Sequence, residues 1–182
     1  LHKRVAYREP YQDPADTGID QMIAAVRAEQ CIKVYLNSTV TATSGSPGQF
    51  SIQIATGSGS AATEEVGAIV QASGFSLYDA NKLTEFSYGK SPNIVDQAGL
   101  EILAKEAAAK GTPIKRPSDG GAVKSVAFVQ CAGQRDTTGK HLAYCSGFCC
   151  NASIKQAMYF KAANPEIYTV VIYTDLRTPG NG

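Results

Sequence analysis

No long uncharged apolar run occurs in the 182 residues, so nothing in the sequence reads as a membrane span. Charge of one sign is lacking too. The 17 Lys and Arg stand against 16 Asp and Glu, interspersed along the chain, for a net charge of +1. Without a basic stripe, nucleic acid is a poor partner. The nine tyrosines are scattered and make no stacking platform. There is no internal repeat, and Leu1-His2-Lys3-Arg4 offers neither an initiator Met nor the apolar region of a signal peptide. At the other end, Thr178-Pro179-Gly180-Asn181-Gly182 follows closely on an expected strand, and both ends read as those of a piece of a larger protein. The length suits one domain with a real core or two small lobes.

What is present in quantity is cysteine, in an uneven distribution. Five is an odd number, and Cys31 lies far from Cys131, Cys145, Cys149 and Cys150. An extracellular disulfide framework is more often even in number and spread along a shorter chain. The clustering favours a reducing, cytoplasmic setting in which thiolates bind a metal or shuttle electrons.

Hydrophobic periodicity supplies the frame. Residues 1–16 have no period and read as an extended lead-in. Ile19, Met22, Ile23 and Val26 recur as on an amphipathic helix, with Thr17 as its N-cap and Asp20 serving the dipole. Ile32–Leu36 alternates as a strand. Thr39–Thr43 and Phe50–Ile54 form a hairpin around the turn cluster Ser44-Gly45-Ser46-Pro47-Gly48. After a tip at Gly57–Ser60, Val66–Ala72 predicts a strand buried on both faces, ending at Ser73-Gly74. Leu100, Leu103, Ala104 and Ala107 mark a helix with Asp96 as N-cap and Gly111 at its stop. Pro117–Gly121 is a turn and the expected boundary between two lobes, 1–116 and 117–182. In the second lobe the strand Ser125–Val129, a helix over 151–163 with Ile154, Ala157 and Met158 on one face, and the strand Val170–Tyr173 make a parallel βαβ unit. The fold class is therefore α/β.

In such a unit ligands sit at the carboxyl end of the sheet. Cys131 directly follows the first strand, and Cys149-Cys150 lead into the helix, whose amino end carries unpaired N–H groups and partial positive charge. That end favours exposed thiolates by roughly 0.3–1 kcal/mol each. Three chemistries suit four such thiolates. An iron–sulfur cluster takes about four of them. Zinc also takes four, but usually from two C-x₂₋₄-C knuckles, whereas here the spacing is a lone cysteine and C-x₃-C-C. A metal-free thiol–disulfide relay is the third. Against all three stands the plain possibility that some of these cysteines are small buried hydrophobes.

A nucleotide-binding unit shares this outline, and Asp175 stands where a ribose-binding acid would be. Yet the turn Cys131-Ala132-Gly133-Gln134-Arg135-Asp136 lacks G-x-G-x-x-G, so its backbone is unsuited to a pyrophosphate. Gly57–Ser60 is followed by no Lys-Ser/Thr and is not a phosphate loop.

Ser125-Val126-Ala127-Phe128-Val129-Gln130-Cys131-Ala132-Gly133-Gln134-Arg135-Asp136, continuing to Tyr144-Cys145-Ser146-Gly147-Phe148-Cys149-Cys150 and Ile154-Lys155-Gln156-Ala157, closely resembles the A subunits of heterodisulfide reductases. It also resembles the related flavoprotein subunits of the quinone-interacting membrane-bound oxidoreductase. Arg116–Gly120, Tyr173–Thr178 and Tyr88–Asn93 extend the likeness, which covers most of residues 64–182. The resemblance implies a thioredoxin-reductase-like fold, with residues 1–116 as the later part of an FAD lobe and residues 117–182 as a Rossmann-like lobe. It implies that Cys131, Cys145, Cys149 and Cys150 ligate a [4Fe-4S] cluster near the flavin. Ala72-Ser73-Gly74 would be the strand-end motif closing the FAD lobe, with Ser where the family usually has Thr. The family's N-terminal glycine-rich FAD motif is absent, so a segment of this extent is expected neither to hold FAD nor to catalyse a reaction by itself. The implied partners are other redox subunits of a heterodisulfide-reductase-like complex, through which peripheral membrane association could arise.

Among single residues, His141 is a ligand or proton-carrier candidate more readily explained as a solvated loop histidine. Arg135 and Lys140 read equally as offsetting thiolate charge or as solvated side chains, and Cys31 reads as structural. Two functions of other classes compete with electron transfer: a zinc-stabilised docking domain and a thiol–disulfide oxidoreductase.

Overall fold

The structure, a computed structural model, describes residues 2–4 and 14–178. Most of the lead-in expected over residues 1–16 lies outside the described residues, as do residues 179–182. The chain forms two compact units. Gly18–Ser76 is one, and the remainder of the described chain is the other. The turn at Pro117–Gly121 lies inside the second.

The chain starts with a short antiparallel pairing of β1 (Lys3–Arg4) and β2 (Ala15–Asp16). The Gly18–Ser76 unit then opens with α1 (Ile19–Ala28), the helix expected from the Ile19/Met22/Ile23/Val26 spacing. Its N-cap is Gly18, at φ +66°, instead of Thr17, and none of its residues is buried. β3 (Thr39–Ser46), β4 (Gln49–Ala55) and β5 (Ala61–Val66) form an antiparallel meander in that order. Pro47-Gly48 make the two-residue turn of the first hairpin, with Gly48 at φ +91°, the conformation Pro-Gly favours.

Two expected strands of this unit are not formed. Residues 32–35 have no regular structure, although Lys33 (2.6 Å) and Tyr35 both bond the Glu64 carboxylate on β5. The run Val66–Ala72 leaves the sheet after Val66, and residues 67–77 are exposed and irregular, with Val70 89% exposed. A strand apolar on both faces needs cover on both. β5 pairs only with β4, and no described strand flanks its other edge.

The second unit holds two single-turn 3₁₀ helices, Ala80–Lys82 and Thr84–Phe86, and then α2 (Gln97–Ala109). Asp96 caps α2, its carboxylate accepting the Gly99 N–H at 2.7 Å. At the other end Gly111, at φ +62°, donates to Ala108 O while Thr112 donates to Ala107 O, the paired bonds of a glycine C-cap. β6 (Ser125–Val129), α3 (Cys149–Ala163) and β7 (Tyr168–Ile172) complete the unit, and β6 pairs β7 in parallel as expected. Leu100, Phe128, Phe160 and Ile167 form the buried core, with Ile114, Val126 and Val171 packed against it. Of the Ile154/Ala157/Met158 stripe expected on α3, Ala157 packs against this core and the other two are half-buried, while the fully buried face lies elsewhere. Cys150, Ala152, Ser153, Lys155, Gln156 and Phe160 are buried, and the polar ones are mostly hydrogen-bonded to α2 and β1.

Candidate functional site

The loop from β6 to α3 leaves the carboxyl end of the two-stranded parallel sheet. Gln130 N–H still bonds Ile172 O at 2.8 Å, and Cys131 then turns the chain with φ +57°. A left-handed conformation costs a non-glycine residue about 1–2 kcal/mol. Such strain persists where the surroundings over-determine the backbone, commonly at functional sites. Gln134 N–H closes the turn on Cys131 O at 3.1 Å.

The rest of the loop is folded on itself. Leu142 N–H bonds Gly133 O, Arg135 N–H bonds Tyr144 O, and Asp136 N–H bonds Leu142 O. The Asp136 carboxylate accepts the N–H groups of Thr138, Lys140 and His141 at 2.8–3.1 Å and the Thr138 hydroxyl. These donors, led by His141 and Thr138, hold its carboxyl well below the usual carboxylate range. His141 shares a 2.6 Å hydrogen bond through Nδ1 with the Tyr78 hydroxyl.

All four clustered cysteines are free thiols. Cys150 is buried, while Cys131, Cys145 and Cys149 are half-buried. Cys149 opens α3. Burial pushes its thiol up, opposing the helix-end effect expected from sequence, and the neighbouring Cys150 and Cys131 push the same way. The Cys131 main chain and the Ser146 side chain bond its sulfur and pull the other way, without reversing the shift. Cys145 Sγ accepts the Gly147 N–H at 3.4 Å. Arg135 Nη1 lies 4.0 Å from Cys131 Sγ.

Cys149 thus interacts with both Cys150 and Cys131, and Ser146, the residue after Cys145, bonds the Cys149 sulfur. Ser146 is fastened by its own N–H to Gln134 Oε1 at 3.2 Å. Cys31 is exposed in a turn of the other unit, and Ala72, Ser73 and Gly74 lie in that unit's exposed irregular segment. Lys140 is exposed at the loop tip. Asp175 takes up Arg135 and, at 3.3 Å, Arg177.

Some contributors carry no signal in the sequence. Gln97 on α2 donates to Cys149 O and Ser153 Oγ, each at 3.0 Å, and so fixes the first turn of α3. Gln130, 7% exposed, has neither side-chain amide atom bonded among the described residues. Glutamines mark no chemistry by type or spacing, so only the fold reveals them.

Among the described residues, no three His, Cys, Asp or Glu side chains form a shell for one metal ion. By its chemistry the donor set suits an iron–sulfur cluster. It comprises four free cysteines and N–H or guanidinium donors already near three of the sulfurs.

Fold and site together define an α/β domain with a thiol-rich centre at the carboxyl end of a parallel sheet. No family model matches the chain. Curated sequences do. One is the A subunit of the ferredoxin/F(420)H(2)-dependent CoB-CoM heterodisulfide reductase of Methanosarcina acetivorans, 38% identical over 117 residues, 64% of this chain and 14% of that protein. Another is the second iron-sulfur A subunit of the CoB-CoM heterodisulfide reductase of Methanopyrus kandleri, 37% identical over 119 residues, 65% of this chain and 18% of that protein. The corresponding iron-sulfur protein of Methanocaldococcus jannaschii matches with the same identity and coverage. The resemblance drawn from the motifs is thereby shown: about two thirds of this chain is homologous to the A subunits of heterodisulfide reductases. The chain spans only about 14–18% of the length of these relatives.

Proposed function

We propose that this chain is a segment of an electron-transfer oxidoreductase of the heterodisulfide reductase A type, with Cys131, Cys145, Cys149 and Cys150 holding a [4Fe-4S] cluster. The observation that carries this reading is the set of donors aimed at sulfur where the parallel βαβ unit opens: Gly147 N–H on Cys145, the Cys131 main chain and Ser146 on Cys149, and Arg135 beside Cys131. Two matched relatives are named iron-sulfur subunits, which supports the same assignment. When bound, the cluster would accept and release single electrons. Arg135, fixed by Asp175, would set positive charge beside the thiolates, and Gln97 would hold the turn of α3 that presents Cys149.

Ala72-Ser73-Gly74 would close a flavin site in a longer parent, with FAD as the second redox group. The exposed apolar residues Ile69, Val70 and Phe75 beside this motif suit a strand that such a parent covers. Partner redox subunits of a larger complex would supply and remove electrons, and the setting would be cytoplasmic. No helix among the described residues is long and apolar enough to cross a membrane.

Anaerobic purification with iron and acid-labile sulfide assays tests the ligand set. About four iron and four sulfide per chain are expected, falling sharply in Cys149→Ser. Stoichiometric zinc without sulfide would support a docking domain instead. Metal-free protein with a reversible Cys149 disulfide would support a thiol–disulfide relay.

A further inference from the structure

Gln130 is the residue before Cys131. Its main chain continues the sheet through the 2.8 Å bond to Ile172 O, while both polar atoms of its buried side chain are unpaired among the described residues. Burying an amide without a partner is unfavourable, and native proteins rarely leave both ends so. Burial alternates along β6, with Val126 half-buried and Phe128 and Gln130 buried, so Gln130 continues the face of Phe128. That face meets α3, since the Phe128 and Phe160 rings pack edge to face at 6.4 Å. The helix of a βαβ unit runs back along the sheet. The main chain of the next residue, Cys131, bonds the Cys149 sulfur, which brings that sulfur beside the carboxyl end of β6 where Gln130 stands.

We propose that Gln130 donates its side-chain N–H to sulfur of the group held by the four cysteines and raises the reduction potential of that group. This rests on the cluster assignment above. Hydrogen bonds to sulfur favour the more negatively charged, reduced state. The competing role is purely structural: the amide could turn to the buried Gln156 Oε1, which is also unpaired among the described residues.

The test compares wild type with Gln130→Leu, and with Gln130→Met should leucine not pack. Iron and sulfide content, the midpoint potential of the loaded protein and the melting temperature of the apoprotein are measured for each. The expected variant loads its cluster, has an apoprotein at least as stable as wild type, and shows a lower midpoint. A tenfold change in the oxidised-to-reduced ratio is expected, about 59 mV for one electron. A loaded variant with an unchanged midpoint overturns the proposal while sparing the cluster. A destabilised apoprotein with an unchanged midpoint assigns the amide to the fold, and likewise overturns it. Wild type without iron or sulfide overturns the cluster reading and this inference with it.

Discussion

The Tyr78 ring occupies the space that a side chain on Gly133 would need. A Cβ at Gly133 would fall 2.3–2.7 Å from three Tyr78 ring carbons, and the Gly133 backbone has φ +76°. Tyr78 also reaches His141, so one aromatic ring braces the cysteine loop at two points. Gly133→Ala combines a left-handed penalty of about 1–2 kcal/mol with overpacking of about 1–3 kcal/mol. A loss of roughly 2–5 kcal/mol in urea denaturation is expected. Tyr78→Ala removes that clash but also the bond to His141, so combining it with Gly133→Ala should cost less than the sum of the two single losses.

Asp136 organises the tip of the same loop by accepting three main-chain N–H groups and a hydroxyl. Its folded pKa is depressed, so its contribution is complete above the unfolded value of about 3.9 and fades as pH falls through the folded value. Amide hydrogen exchange at Thr138, Lys140 and His141 should therefore stay slow down to about pH 4 and show faster loop opening below it. Asp136→Asn, which keeps an acceptor oxygen but loses the charge, should speed exchange at neutral pH less than Asp136→Ala does.

Much of the frame was legible because local signals and tertiary structure agree. Asp96 before an apolar period gave α2, the Ser46-Pro47-Gly48 turn gave the first hairpin, and Ser125–Val129 reads directly as β6. Val66–Ala72 misled because an apolar run reports a wish for burial, while the described elements provide no cover for it. Periodicity failed on α3 for the opposite reason. Its buried face carries Ser153, Lys155 and Gln156, whose partners on α2 and β1 make burial tolerable, and no hydrophobic count detects partners. The cysteines were visible by type, whereas Gln97 and Gln130 gain meaning only where the fold brings them to the cysteine loop.

The Asp96 cap is a separable contribution. Its carboxylate accepts the Gly99 N–H at 2.7 Å and the Tyr88 hydroxyl at 3.3 Å. Asp96→Ala should cost about 1 kcal/mol by urea denaturation, and Asp96→Ser should recover most of it. Tyr88→Phe, which leaves the cap bond intact, should cost less than Asp96→Ala.

Glu101 on α2 and Lys155 on α3 form a buried ion pair at 2.8 Å, with side chains 10% and 3% exposed. The carboxylate is well supplied. It also accepts His2 N–H at 2.6 Å and Gln156 Nε2–H at 3.0 Å, while Lys155 donates to Lys3 O. Burial raises the Glu101 pKa, but Lys155, His2 and Gln156 outweigh it and leave the group below its ordinary value. The pair's contribution is thus complete above the unfolded value of about 4.3 and is lost as pH falls through the folded one. Lys155→Met leaves a buried carboxylate without its cation and should cost about 3–5 kcal/mol. Replacing both residues, with Glu101→Leu and Lys155→Met together, removes the unpaired charge but leaves His2 N–H without its acceptor and Gln156 Nε2 with Gln97 O alone. The double variant should therefore be less damaged than Lys155→Met and still about 1–3 kcal/mol below wild type. Urea denaturation at pH 7 orders the three proteins. A double variant less stable than Lys155→Met would show that the hydrogen bonds to Glu101 outweigh its charge pairing in fastening β1 to the helices.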